Sequence, residues 1–148
     1  MKLKVSAIRE GTVIDHIPAE NVFKVVDILD LKKHDNIVSV ATNLQSKTAG
    51  KKGIVKVGGK SLTEAEVNKI SIIAPNATIN IIKDYKVKKK ETVKTPEEFN
   101  NVVKCSNPKC VTNAEKVKTR FTVENKEPLK VRCHYCERTA ESPDIELL

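Results

Sequence analysis

Four cysteines in the last third of the chain have the spacing of metal ligands. Four residues separate Cys105 from Cys110, two separate Cys133 from Cys136, and 22 lie between the two pairs. Each pair can close a tight loop around one side of a tetrahedral Zn²⁺, and four thiolates leave no coordination position open for a substrate. We therefore expect one structural zinc ion bound by all four cysteines.

Two other roles for these cysteines are weaker. A disulfide pair would need an oxidising compartment. A redox Cys-x-x-Cys at 133–136 would open a helix in a βαβ unit, whereas this one follows a predicted strand and precedes charged residues. His134 lies inside the second pair. Because four thiolates are already available, we expect His134 at the surface rather than on the metal.

The second candidate site is the pair Asp15 and His16, just before a helix predicted to begin near Pro18. An imidazole and backbone N–H groups at a helix N-terminus could contact an anion. The pair could also act as acid and base. A helix-entry loop with a capping Asp is the structural alternative, and from these residues alone it is the stronger one.

The net positive charge of the chain comes entirely from its first 90 residues. They hold 17 Lys and Arg against 9 Asp and Glu, which accounts for the net charge of +8, whereas residues 91–148 hold 10 of each. An anionic ligand is therefore expected in the N-terminal part. Lys52, Lys56 and the lysines of 86–90 could converge there on phosphate, although lysines more often cover solvated surface.

The elements that must position these residues form an α+β fold in the N-terminal part. Strand patterns alternate with two helical ones, the second beginning at a capping box at Thr63. The order βαββαβ predicts a ferredoxin-like sandwich with an antiparallel sheet over residues 1–92. The predicted strands are 3–9, 37–44, 54–57 and 78–87, and the predicted helices follow Pro18 and Thr63.

Residues 93–148 are expected to form a small all-β domain that resembles a zinc ribbon. The lysine-rich segment 86–94 reads as an exposed connector, and the N-cap and Pro signals at 95–98 predict a short helix. A unit of this size has too little core to fold unaided, which agrees with a metal. The predicted strands are 102–105, 117–124, 129–133 and 145–148.

Several classes of function have no support in the sequence. It contains no P-loop, no Gly-x-Gly-x-x-Gly motif and no nucleophile elbow. No apolar run approaches the roughly 20 residues needed to span a bilayer. The first residues lack the pattern of a signal peptide, so a cytoplasmic protein is expected.

Two stretches and the cysteine pattern resemble the regulatory chain of aspartate carbamoyltransferase. The first stretch is Val-Ser-Ala-Ile at 5–8 with Gly-Thr-Val-Ile-Asp-His-Ile-Pro-Ala at 11–19. The second is Ala-Pro-Asn-Ala-Thr-Ile-Asn at 74–80, and the last cysteine pair reads Cys-His-Tyr-Cys-Glu. These features occur in the family's order, and the resemblance covers essentially the whole chain.

The resemblance implies a subunit without catalytic activity in pyrimidine biosynthesis. Its N-terminal domain would bind CTP, UTP and ATP, and its zinc domain would dock on the catalytic chain. Dimers of the regulatory chain would bridge catalytic trimers. The run 88–90 leaves open which lysine meets phosphate. The nucleotide-binding residues that the resemblance implies are Val5, Ala7, Ile8, Asp15, His16, Lys52, Lys56, Asn80, Tyr85 and Lys90.

Two further hypotheses come from other classes of protein. A basic chain with a four-cysteine site could be a nucleic-acid-binding zinc-ribbon protein. Against this, residues 91–148, which contain all four cysteines, carry no net charge, and the chain has few aromatic residues for stacking on bases. An enzyme using Asp15 and His16 as acid and base would lack a recognisable nucleophile or cofactor.

Overall fold

The computed structural model describes residues 8–46 and 50–148, and the chain forms two compact units divided between Val93 and Lys94. Within the described ranges, no helix is both long enough and apolar enough to cross a membrane.

The first unit contains five strands and two α-helices in the predicted βαββαβ order, with one additional strand at its end. The strands align in the order β2-β3-β1-β4-β5, and every neighbouring pair is antiparallel. Short 3-10 turns at Ala19–Asn21 and Leu31–Lys33 flank the first helix. The elements are β1 (Gly11–Pro18), α1 (Val22–Ile28), β2 (Val38–Ser46), β3 (Gly50–Gly58), α2 (Glu64–Ile73), β4 (Thr78–Lys83) and β5 (Lys86–Thr92).

An aliphatic core joins the two helices to one face of this sheet. Ile14, Ile17 and Val55 of the strands pack with Val25 of α1 and Ile70 of α2, and all five side chains are fully buried. Burying each such side chain contributes about 1.5–3 kcal/mol. The α+β class and the antiparallel sheet predicted from the sequence are confirmed.

The start of α2 follows its sequence signal. The Thr63 hydroxyl accepts the Glu66 backbone N–H at 3.2 Å, and a Glu66 carboxylate oxygen accepts the Thr63 N–H at 2.9 Å. This reciprocal capping box satisfies two donors that the first helical turn leaves free. The predicted helix after Thr63 is therefore confirmed.

The first strand was predicted at 3–9, and the described end of that range, residues 8 and 9, does not form a strand. Residues 3–7 lie outside the described part of the chain, while Ile8 and Arg9 are not in a strand and β1 begins only at Gly11. The polar residues Asp15 and His16, followed by Pro18, are typical of a loop before a helix, so no strand was predicted at 11–18. Burial of Thr12, Ile14 and Ile17 against the core makes it a strand instead.

The predicted strand at 78–87 and the predicted connector at 86–94 are together a hairpin. Asp84 and Tyr85 have φ of 51° and 64° and turn the chain between β4 and β5. Two consecutive residues with positive φ form the tight turn that suits the twist of antiparallel strands. β5 is exposed along its whole length, so cross-strand hydrogen bonds rather than burial hold it, and a lysine-rich sequence is typical of such an edge.

The second unit is mainly β, as predicted. Four strands form a sheet in the order β10-β9-β8-β6, and two short strands pair separately as β11-β7. Of these elements, β6, α3 and β10 were not predicted from the sequence. They are β6 (Glu98–Asn100), β7 (Val103–Lys104), α3 (Val111–Ala114), β8 (Arg120–Lys126), β9 (Leu129–Cys133), β10 (Thr139–Glu141) and β11 (Glu146–Leu147).

The short helix predicted at 95–98 is wrong. Residues 93–97, all described, contain no helix, and the chain enters β6 at Glu98. Phe99 is fully buried and pairs directly with buried Phe121 of β8. Burial of the two aromatic rings outweighs the local capping signals, which contribute only about 1 kcal/mol each.

Candidate functional site

Most of the candidate ligand residues share the sheet face opposite α1 and α2, here called the lysine face. Side chains alternate along a strand, so the residues next to buried Ile14, Val55 and Ile79 point away from the core. On β3 these are Lys52, Ile54 and Lys56. The other strands contribute Val13 and Asp15, Thr78, Asn80 and Ile82, and Val87 and Lys90.

One cross-strand row brings three of the predicted residues together. Val13 of β1 lies directly opposite Lys56 of β3 and Asn80 of β4, and Asn80 lies opposite Lys90 of β5. Directly opposite residues in antiparallel strands have Cβ atoms about 4.5–5.5 Å apart. Two ammonium groups therefore flank an amide and a small apolar side chain on one surface.

Beside this row the lysine face contains a pocket of about 310 Å³. Its lining combines predicted residues with apolar side chains from the β4–β5 hairpin. The lining residues are Ile8, Val13, Lys56, Asn80, Ile82, Tyr85 and Val87. A pocket with an apolar lining and a few polar groups is suited to a planar ring that carries hydrogen-bonding edges.

A β-bulge places Asp15 and His16 at the other end of the lysine face. Ile14 pairs with Val55 and Ile17 with Gly53, so two residues of β1 lie opposite Ile54 alone. His16 has a φ of 60°, and its Nδ1 lies 2.6 Å from the Thr78 hydroxyl. Bulges re-aim side chains in this way at functional sites. The alternative of a capping Asp fails, because Asp15 lies within a strand.

The charges on the lysine face are unevenly neutralised. Lys52 Nζ lies 3.1 Å from the Asp15 carboxylate, which also accepts the His16 backbone N–H at 2.7 Å. Burial opposes ionisation of Asp15, but these two hydrogen bonds outweigh it and lower the pKa of the carboxyl below its usual value. Across residues 8–46 and 50–148, the amino groups of Lys56 and Lys90 have no carboxylate within 4 Å. Their charge is therefore available to an anion.

Two further predicted residues of this site lie outside the described part of the chain. Val5 and Ala7, predicted to present backbone groups to a ligand, belong to residues 1–7. Ile8, the next residue, lines the pocket and is 4% exposed.

In the second unit the fold gathers the four cysteines into one cluster. Their Sγ atoms all lie within 4.8 Å of one another. Sγ of Cys105 lies 3.5 Å from Cys136, and Sγ of Cys110 lies 3.8 Å from Cys133. These separations exceed the roughly 2.05 Å of a disulfide bond and suit four ligands around one ion. His134 is exposed, as expected for a residue that is not a ligand.

Hydrogen bonds around the cluster favour the thiolate form of two cysteines. Burial favours the neutral form of all four thiols, and it raises the pKa of Cys133 and brings that of Cys105 to about 12. At Cys136, N–H groups including the Arg138 backbone overcome this effect and lower the pKa to about 7. The Thr112 hydroxyl donates to Cys110 Sγ at 3.2 Å and lowers the pKa of Cys110. A divalent cation would supply the charge needed to ionise the other two.

The polar network extends to the loop between the first two cysteines. The Asn113 side-chain amide donates to the Cys105 carbonyl at 2.9 Å and to the Asn107 carbonyl at 2.7 Å. Asn113 lies on α3, directly after Cys110, so this helix ties the first cysteine pair together. Such contacts orient metal ligands.

Comparison with known proteins identifies the family. Residues 3–94 match the family model described as the aspartate carbamoyltransferase regulatory chain, allosteric domain. This chain belongs to the aspartate carbamoyltransferase regulatory-chain family. Residues 97–146 match the metal binding domain of the same regulatory chain. The predicted membership, in a family of non-catalytic subunits of pyrimidine biosynthesis, is confirmed.

Curated relatives match almost end to end. The aspartate carbamoyltransferase regulatory chains of Pyrococcus abyssi and Pyrococcus horikoshii are 57% and 58% identical over 146 residues, which is 97% of this chain and 96% of each relative. That of Phocaeicola vulgatus is 46% identical over 99% of this chain and 94% of its own length.

The sequence did not single out four residues of the lysine face. Val13, Ile82 and Val87 line the pocket, and Thr78 contacts His16. The alternation of side chains along β1, with Ile14 on the core face, could have indicated that Val13 lies on the opposite face. Ile82 and Val87 were obscured because 78–87 reads as one strand, which places Val87 beyond the reach of Ile82 instead of opposite it.

Proposed function

We propose that this regulatory chain binds nucleoside triphosphates, namely CTP, UTP and ATP, on the lysine face of its first unit. The observation that carries the proposal is the row of Lys56, Val13, Asn80 and Lys90 beside the pocket. It combines two ammonium groups that have no carboxylate within 4 Å among the described residues with an apolar recess. Residues 1–90 of the same unit account for the whole net charge of the chain.

The polarity of the lysine face orients the ligand. The base fits the apolar end, where Ile8, Ile82, Tyr85 and Val87 line the pocket and Asn80 offers an amide to its edge. The triphosphate then extends toward the ammonium groups and toward His16. Charge-assisted hydrogen bonds of this kind are the strong ones in anion recognition.

Asp15 has two roles in this arrangement. It accepts a ribose hydroxyl and it orients Lys52 toward phosphate. Its contact with Lys52 at 3.1 Å supports the second role. Val5 and Ala7 stay predicted contributors to recognition of the base.

The metal of the second unit is proposed to be zinc. Four thiolates prefer Zn²⁺ among the common divalent ions of proteins, and a closed shell has a structural role. Through this unit the chain would dock on the catalytic chain of aspartate carbamoyltransferase. Paired through their first units, two copies would bridge catalytic trimers in the cytoplasm.

Calorimetric titration of the full chain with CTP tests the effector site. Lys56→Ala should weaken binding about ten- to a hundredfold, because it removes a charge-assisted contact worth about 1.5–3 kcal/mol. Lys24→Ala is the matched control, because Lys24 is an exposed lysine on α1, across the sheet from the lysine face. Equal affinity of both variants for CTP would remove the site from the lysine face.

A further inference from the structure

The pairing of β4 with β5 determines which of three successive lysines, residues 88–90, points to the lysine face opposite Asn80. The β4–β5 register pairs Asn80 with Lys90, Ile81 with Lys89 and Ile82 with Val87. Between Ile81 and Ile82 the register shifts, and Lys88 is the residue it skips. An extra residue of this kind is a β-bulge, which interrupts the alternation of side chains along its strand.

The bulge at Lys88 explains how Val87 and Lys90 can both point to the lysine face. Val87 lines the pocket, and Lys90 lies opposite Asn80, which also lines it. The two are three residues apart, and a regular strand places residues that differ by an odd number on opposite faces. One skipped residue between them puts both on the lysine face.

The same bulge turns the neighbouring lysine away. Lys89 pairs with Ile81, which is next to Asn80 and therefore on the other face of β4. There the Lys89 Nζ lies 2.7 Å from the Glu91 carboxylate. With no bulge, Val87 and Lys89 would share the lysine face and Lys90 would point away from it.

We propose that Lys88 is a positioning residue that selects Lys90, rather than Lys89, as the phosphate-binding lysine of β5. It acts through the extra length it gives the strand and not through its own ammonium group. The inference rests on the proposed nucleotide site, since phosphate is the ligand whose binding reports the selection.

Three double variants of the full chain test the selection at equal length and charge. Each keeps one lysine of the run and replaces the other two with Ala. Lys88→Ala/Lys89→Ala keeps Lys90 and should bind CTP within about threefold of the unmodified chain. Lys88→Ala/Lys90→Ala and Lys89→Ala/Lys90→Ala should each lose about tenfold or more in affinity, as expected for one charge-assisted contact.

A deletion then provides a gain of binding. Removing residue 90 from Lys88→Ala/Lys90→Ala leaves a strand without an extra residue, in which Lys89 lies two positions after Val87 and opposite Asn80. CTP affinity should recover about tenfold, although a residue has been removed. Cytidine affinity, which needs no phosphate contact, should stay constant across the series.

The outcomes separate the inference from the proposed function. If the unmodified chain fails to bind CTP, the nucleotide site itself is wrong. If it binds and the three double variants bind equally, the lysines act as a diffuse charge and the inference is overturned. It is also overturned if the shortened variant, shown to be folded by circular dichroism, gains no affinity. If that variant does not fold, the CTP affinities of the three full-length variants still show whether Lys90, rather than Lys88 or Lys89, is the lysine selected.

Discussion

Lys52 and Asp15 form an ion pair on the lysine face, with Lys52 Nζ 3.1 Å from the Asp15 carboxylate. The two side chains are 21% and 25% exposed, so solvent screens the pair only in part. Burial disfavours the charged carboxylate, but the His16 N–H and the Lys52 ammonium stabilise it, and the pKa of Asp15 falls below its usual value. The pair therefore links stability to pH.

Replacing Asp15 with Asn should lower the free energy of unfolding at neutral pH by up to about 1 kcal/mol, because partly exposed ion pairs contribute no more. The contribution of a carboxyl with a depressed pKa is fully present above its unfolded pKa of about 3.9 and is lost as pH falls through the folded value. Urea denaturation should show a larger difference from the unmodified chain at pH 7 than at pH 2.5.

The control for this measurement is Asp27→Asn, which changes an exposed acid on α1. It should leave stability unchanged at both pH values. A deficit in Asp15→Asn that persists unchanged at pH 2.5 would mean that the ion pair is not its source.

The capping box of α2 gives a second stability prediction. Thr63→Ala removes the hydroxyl that accepts the Glu66 N–H and should cost about 1 kcal/mol. Thr63→Ser keeps that acceptor and should cost much less. CTP affinity should be the same in both variants, because α2 packs on the face opposite the proposed site. Thermal melts combined with calorimetry measure both quantities, and an equal loss in the two variants would contradict the capping role.

Local signals predicted the parts of the fold that local interactions decide. Thr63 and Glu66 show the capping box in their spacing, and each cysteine pair shows half of a metal site, because the two members of a pair are joined by a short loop. The βαββαβ order also followed from alternation and helical periodicity. These features could be predicted because each depends mainly on its own segment.

Longer-range interactions decided the elements that the sequence misplaced. β1 contains polar Asp15 and His16 because a bulge allows them to leave the core face, and a strict alternation cannot show this. β5 has an all-exposed sequence and exists through its pairing with β4. At Phe99, pairing with Phe121 of a strand about 20 residues away overrode the helical signals at 95–98.

Two copies of the chain should pair through the first unit. β2 is an edge strand of nine residues, and Ile37 just before it and Val40 within it are 54% and 39% exposed. An exposed apolar edge of this length is a template for pairing. The double variant Ile37→Lys/Val40→Lys should be monomeric in light scattering at a concentration where the unmodified chain is a dimer.

Phe23→Lys is the control for the dimer, because Phe23 is 65% exposed on α1 rather than at the strand edge. It should leave the mass unchanged. A dimer that survives the double variant and dissociates with Phe23→Lys would move the interface to the helices.

Metal removal should abolish assembly with the catalytic chain and leave nucleotide binding intact. The second unit, Lys94–Leu148, has a small core and a cluster of four thiols, so its folding free energy comes largely from binding the metal. The first unit has its own aliphatic core. Treatment of the full chain with a mercurial and a chelator, followed by size exclusion with the catalytic chain and a CTP titration, measures both effects.

Cys136→Ser should reproduce the loss of assembly, because a neutral hydroxyl is a poor replacement for a thiolate on Zn²⁺. His134→Ala is the matched control: it changes an exposed residue inside the same cysteine pair and should retain one equivalent of zinc by mass spectrometry. If the metal-free chain still elutes with the catalytic chain, the cysteine unit is not the docking surface. If the metal-free chain also loses CTP affinity, the two units do not fold independently, because the lysine face lies wholly within the first unit, which contains none of the four cysteines.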